Sequence, residues 1–279
     1  MSAVQIAQNL AFINWTVLTG LALGSYATVA LLRRRSSATR GYLGFTTVCS
    51  IAFGALAVVS DRALPTQLGT SPILVDPYWS EPRTIALSAF VVLAVAALLA
   101  RRFLPRIVDI LEVGALTAAG LTLAFGALTW GGGSVGALAL LVELAAASAA
   151  IGGVFAAMIL GHWYLVTPKL PEAPLILLAR MLVAVIALQV VLFVGWVAAG
   201  AGPADGAPFG ALVGPWALFV WLRLIVGLIF PLVVSWAAVQ TARTRSMESA
   251  TGLLYINVGT IAAGTILAAG LYFGAGVLV

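Results

Sequence analysis

Residues 10–60 read LAFINWTVLTGLALGSYATVALLRRRSSATRGYLGFTTVCSIAFGALAVVS, two apolar runs parted by a short loop that carries Arg33, Arg34, Arg35 and Arg40. A run of ~20 apolar residues, wound as a helix rising ~1.5 Å per residue, crosses a hydrocarbon core of ~30 Å. Working outward from 10–32 and 41–60, the same reading places further spans at 84–100, 107–130, 137–162, 173–200, 213–240 and 249–276. The expected fold is all-α, a polytopic membrane protein of eight transmembrane helices in a single transmembrane domain, 1–279. Spans one and five start on the same side. That permits two four-helix bundles, 1–130 and 137–279, although no residue-level repeat accompanies them.

The basic residues check that count. Arg33, Arg34, Arg35 and Arg40 lie between spans one and two, Arg101, Arg102 and Arg106 between three and four, Lys169 between five and six, and Arg243 and Arg245 between seven and eight. With eight spans these loops all share one side, and the other side receives only Arg62 and Arg83. Loops rich in Lys and Arg stay cytoplasmic. The chain is therefore expected in the cytoplasmic (inner) membrane, with its N- and C-termini on the non-cytoplasmic side. A missed or spurious helix would scramble the alternation. The first ten residues hold no Lys or Arg and the first apolar run is longer than a signal-peptide core, so no cleaved leader is expected.

Composition excludes several classes of function. The chain is 62% hydrophobic and 8% charged, against roughly a quarter charged in soluble domains, which leaves too little polar surface to face water. Its net charge of +5 sits in short loops, so the expected partners are membrane lipids and not nucleic acid. Cys49 is the sole cysteine and His162 the sole histidine, which rules out an internal disulfide, a Cys-x-x-Cys metal pair and a bis-histidine haem. Neither a haem nor an iron–sulfur cluster is expected on this chain alone, so electron chemistry would need a mobile or partner-held cofactor. Gly131-Gly-Gly-Ser134 lacks the Lys-Ser/Thr of a phosphate loop and reads as an outer turn, and no clustered aspartates suit a diphosphate with magnesium.

Ionisable residues inside spans are expensive in lipid and point to partners or cavities. Glu143 and Arg223 fall toward one membrane face and are placed to pair. Toward the other face, Asp109 and Glu112 share a helix side, and with His162 and Arg180 they are expected to line one inward-facing pocket. Two readings of that set stand: a structural salt-bridge set, or a proton-conducting or ligand-binding one. His162-Trp163-Tyr164 also fits an interfacial aromatic belt, Asp109 and Glu248 fit first-turn acids, and Pro231 predicts a kink in span seven. The G-x-x-x-G spacings Gly20–Gly24 and Gly270–Gly274, with Gly152-Gly153, predict close helix packing.

Gly20-Leu-Ala-Leu-Gly-Ser25, Ser60-Asp61-Arg62 with Pro65, Ser71-Pro72, the small-residue run Ala145 to Gly153, and Val220-Trp221 through Gly227 to Pro231 together resemble the NrfD and polysulfide-reductase type of membrane anchor. The resemblance implies two four-helix halves, no cofactor of the chain's own, and a quinone or menaquinone site serving a peripheral iron–sulfur or molybdenum subunit. It implies a pocket near the outer face, with Asn14, Asp61 and Arg62 at the matching positions and Trp130 as a candidate wall. There are two departures. Asn14 is followed by Trp15, with no histidine in the first helix, and the segment His162 to Lys169 has no counterpart in that pattern.

The leading expectation is thus an anchor subunit of a respiratory oxidoreductase, not catalytic alone, that exchanges electrons and protons with the quinone pool. A small-solute or ion transporter, gated by Glu112 with Arg180 and Glu143 with Arg223, is the rival. A structural assembly subunit is the third class.

Overall fold

The computed structural model describes residues 3–65, 73–167, 170–202 and 206–279; Pro168, Lys169 and Ser71-Pro72 lie outside them. The helices are α1 (Ala3–Arg35), α2 (Arg40–Arg62), α3 (Ser80–Phe103), α4 (Val108–Trp130), α5 (Ser134–Val166), α6 (Ala173–Ala199), α7 (Ala217–Arg243) and α8 (Met247–Ala275). Among the described residues these eight are long and apolar enough to cross a membrane, and the chain is a multi-pass helical membrane protein. A hydrocarbon core offers backbone N–H and C=O groups no water, so each span closes its own hydrogen bonds as a helix. The ends come where the chemistry changes. Arg33, Arg34 and Arg35 finish α1, Thr39 caps α2 by accepting from the Tyr42 N–H, and Gly276 ends α8 in the left-handed region at φ 68°.

The stretch from Asp61 to Arg83 departs from the sequence expectation. Read as a loop, it instead gives its first residues to α2, which continues through Arg62, while a 3₁₀ turn at Pro77–Trp79 leads straight into α3 at Ser80. Pro77 and Pro82 do not prevent this, because a first turn has no use for the N–H that proline lacks. Asp61 and Arg83 therefore stand on facing helix ends. Likewise α5 runs to Val166, which carries His162-Trp163-Tyr164 into its last turns.

The packing falls into two rings of four. In the first, α1 meets α2, α2 meets α3, α3 meets α4 and α4 returns to α1; in the second, α5, α6, α7 and α8 close in the same order. The rings join chiefly through α1 and α5. These two are the interior helices, with 72% and 61% of their apolar windows buried against 33–44% in the others. Glycine sets how closely they cross. A Cβ added at Gly24 would stand 1.8 Å from the Ser148 carbonyl oxygen, and one at Gly152 would stand 2.2 Å from the Ser25 nitrogen. Small residues let helix backbones touch, and van der Waals contact of that kind holds helices together in lipid. The second G-x-x-x-G pair behaves otherwise: a Cβ at Gly270 would meet only Ile13, at 3.6 Å, so that spacing makes no backbone crossing.

Within α7, Ile225–Ile229 forms a π-helical turn just before Pro231. Pro231 has no N–H to give the Gly227 carbonyl four residues earlier, and the Arg223 guanidinium donates to that oxygen at 3.5 Å. Gly227 and Gly264 meet backbone to backbone at the same level, which fastens α7 to α8.

Gly24→Ala should lower thermal stability in detergent by an amount in the ~1–3 kcal/mol range of overpacked sites. Gly44→Ala, where an added Cβ meets nothing within 4 Å, should leave it unchanged or slightly raised. Melting curves of the two purified variants check the contrast.

Candidate functional site

Where α2 ends and α3 begins, Arg83 Nε donates to Asp61 Oδ1 at 2.7 Å, and the Thr84 hydroxyl donates to Asp61 Oδ2. Both charged side chains are buried, at 4% and 0% exposure. Such a pair is retained only where geometry and extra hydrogen bonds offset desolvation. Here Thr84 supplies the extra bond to the carboxylate. On the other side, the Arg83 guanidinium lies over the Trp130 ring, 4.6 Å from its centroid, and near Trp15 at 5.7 Å. A desolvated cation over an indole face gains ~2 kcal/mol. One nitrogen, Arg83 Nη1, is buried with no partner among the described residues. An unpaired buried donor is costly enough to mark a place where something else is bound.

Trp130, at the end of α4, holds its position through contacts from α1 and α8. Its ring meets Trp15 edge-on at 4.7 Å, Phe12 at 5.6 Å and Phe273 at 5.3 Å, and its carbonyl accepts from the Tyr272 hydroxyl at 2.9 Å. Residues from α1, α4 and α8 thus converge behind the Asp61–Arg83 pair. In front of it lies a cavity of about 420 Å³ lined by Phe12, Asp61, Arg62, Arg83, Thr84 and Trp130, among others.

Of the four residues matched by resemblance or offered as a wall, Asp61, Arg62 and Trp130 line this cavity and Asn14 does not. Asn14 is exposed, and its amide donates to the Ser60 hydroxyl at 3.0 Å. Arg83 and Thr84 are the residues that sequence reasoning missed. The signal for Arg83 was present, since it and Arg62 are the only basic residues on their side, but it was read as a loop cation.

The expected cluster of Asp109, Glu112, His162 and Arg180 does not form. Glu112 is fully buried, and its carboxylate receives Arg33 Nε on both oxygens at 3.0 and 3.1 Å, with Arg34 at 3.3 Å and Arg101 at 3.4 Å. Asp109, in the first turn of α4 and largely exposed, is bound by Arg33 as well. Arg180 is exposed, with no ion-pair partner among the described residues. His162 is exposed too, 3.3 Å from the Tyr255 hydroxyl. The reason is the division into rings: Glu112 shares the first with Arg33 and Arg101, whereas Arg180 and His162 belong to the second. On α6 the buried face is Leu175, Leu178, Ala179, Leu182 and Ile186, and the helical period puts Arg180 off it.

Glu143 and Arg223 do meet, at 3.4 Å, both buried within the second ring. The pairing is incomplete, since Glu143 Oε2 and Arg223 Nε have no partner among the described residues. Beside Glu143, Thr16 and Thr265 line a cavity of about 30 Å³, room for one water.

The chain matches no family model, no curated protein and no solved structure. Fold and site together define its class as a multi-pass helical membrane protein with a polar, aromatic-walled cavity at the face where α1 begins and α8 ends.

Replacing Glu112 by Gln removes the buried charge that half-buried Arg33 and Arg101 and the exposed Arg34 share, and should destabilise the protein by ~3 kcal/mol or more. Arg180→Gln should change stability by no more than ~0.5 kcal/mol. Equal effects in thermal melts would contradict the partners described here.

Proposed function

We propose that the chain is the quinone-binding membrane subunit of a respiratory oxidoreductase, with its site in the cavity lined by Asp61, Arg83 and Trp130. The observation that carries this reading is a buried acceptor, Asp61, and a buried donor, Arg83 Nη1, without a partner among the described residues, beside a cavity walled by Trp130 and Phe12. A quinone head group is a flat ring with opposed oxygens, and it needs an apolar slot, a donor and a proton acceptor. The volume of about 420 Å³ falls within the ~300–1,000 Å³ of small-molecule sites.

Bound quinol supplies two electrons and two protons as it is oxidised. The chain's own residues bind and orient it. Arg83 Nη1 would donate to a ring oxygen, while Asp61, oriented by Arg83 Nε and the Thr84 hydroxyl, would accept one proton from a ring hydroxyl, the second leaving through the cavity past the exposed Arg62. Trp130 and Phe12 exclude water from one side, and the exposed Arg62 adds a second positive charge at the cavity. An iron–sulfur or molybdenum centre of a peripheral partner docked on this face would take the two electrons. By the distribution of Lys and Arg, the face is the non-cytoplasmic side of the inner membrane. A transporter would need Glu112 and Arg180 as one gate, and Glu112 is instead held by Arg33, Arg34 and Arg101. A purely structural subunit has no use for an unpartnered arginine nitrogen beside a cavity.

Titration of the purified chain with a short-tailed quinone, followed by tryptophan fluorescence, tests the site. Saturable quenching is expected, with a smaller amplitude in Trp130→Phe and affinity weakened about tenfold or more in Asp61→Asn, as for loss of a charged hydrogen bond. Absence of saturable quenching, or wild-type behaviour in both folded variants, would overturn the assignment. Solute uptake by proteoliposomes holding this chain alone would favour the transporter class.

A further inference from the structure

Nine buried side-chain polar atoms have no hydrogen-bond partner among the described residues, and six of them belong to the first ring: Trp15 Nε1, Thr19 Oγ1, Tyr26 OH, Thr46 Oγ1, Arg83 Nη1 and Arg101 Nε. Their placement is ordered. On α1, Trp15, Thr19, Tyr26 and Arg33 recur at spacings of four, seven and seven, which at ~3.6 residues per turn puts them within ~40° of one line along the helix. From Trp15 to Arg33 that line rises ~27 Å, close to the thickness of a hydrocarbon core. The buried face of α2 answers it with Asp61, Gly54, Ser50 and Thr46. The Ser50 hydroxyl donates to the Ala22 carbonyl at 2.7 Å, which places a hydroxyl in the gap between Thr19 and Tyr26.

Both ends of the line are charged. At one, the Arg83 guanidinium reaches over Trp15 and is paired with Asp61. At the other, Arg101 contacts the Thr47 hydroxyl at 3.5 Å and joins Arg33 and Arg34 on Glu112, with Asp109 outside them. The middle is narrowed by Phe90, whose ring stands edge-on to Tyr26 at 5.3 Å and against Gly54. Lipid-buried packing does not need this arrangement, because an apolar interior of the same shape would have no unpaired groups to desolvate. Among the described residues the second ring buries one charge pair, Glu143 with Arg223, and three unpartnered polar atoms against six in the first.

We propose that the first ring carries a proton path across the membrane, from Asp61 through Thr19, Ser50 and Tyr26 to the Glu112–Arg101 end. Its source rests on the quinone reading; the path rests only on groups of α1, α2, α3 and α4. Axial steps of ~4–6 Å from Tyr26 to the level of Ser50 and on to Thr19, and ~9 Å from Thr19 to the level of Asp61, exceed a hydrogen bond, so the path requires waters between these groups. Each hydroxyl accepts a proton on one side as it releases one on the other. One proton leaves the Asp61 carboxylate, one emerges at the arginine-rich face, and the hydroxyls end unchanged. Phe90 is the constriction that keeps the path closed until its ring moves.

Proteoliposomes without quinone, loaded with a pH-sensitive dye and driven by a potassium diffusion potential, test the path. Phe90→Ala should raise the proton leak at least tenfold over wild type, and Tyr26→Phe or Ser50→Ala in that background should return it toward wild type. Phe193→Ala, an equivalent hole in the second ring, should not leak. Phe90→Leu serves if Phe90→Ala does not fold. A folded Phe90 variant with no added leak, or a leak indifferent to Tyr26 and Ser50, overturns the path. Either result leaves quinone binding to be judged by its own titration.

Discussion

The contact between α1 and α5 at Gly24, Ser148 and Gly152 is the constraint on which the rest of the structure depends. In lipid, apolar side chains gain nothing from leaving an apolar solvent, so helices are held by close contact and by hydrogen bonds. Here the backbones themselves touch, and no side chain larger than hydrogen fits at either glycine. This crossing joins the two rings. It also commits one side of α1 to α5 and so turns the side bearing Trp15, Thr19 and Tyr26 into the first ring. The cavity at Asp61 exists because that orientation brings Trp15 and Phe12 against Trp130.

Charge follows the same division. Asp61 is neutralised by Arg83, and Glu112 by Arg33, Arg34 and Arg101, all from the first ring; Glu143 takes Arg223 from the second. An ion in hydrocarbon is expensive, and the shortest route to a partner lies within a ring. The result is asymmetric. The first ring carries charge at both ends with hydroxyls between, which suits the movement of protons. The second ring buries one pair, Glu143 with Arg223, at a π-helical turn, where Arg223 also serves the carbonyl that Pro231 leaves free.

The spans were legible because lipid imposes a length and a composition, and all eight appear within a few residues of their expected bounds except at α1, α5 and the Asp61–Arg83 segment. There, prolines that read as loop residues occupy first helical turns. The Glu143–Arg223 contact was also legible, since both residues sit far from water in facing spans. The Glu112 set was not. Arg33, Arg34 and Arg101 were counted only as loop cations, although a long flexible arginine at a helix end reaches back toward a carboxylate. Asn14 followed a family resemblance, and its side chain reaches Ser60 instead of the cavity.

Sequence alone determined the solvent, the number of crossings and the side on which most positive charge gathers, because hydrocarbon thickness and the energy of burying a charge act on each segment independently. Tertiary structure decided which carboxylate meets which arginine, that Arg83 faces inward over Trp130, and that the unpaired hydroxyls of α1 and α2 fall along one interior. Those outcomes depend on how each helix is turned about its axis, and that rotation is set by contacts such as Gly24 on Gly152 that lie far apart in the chain.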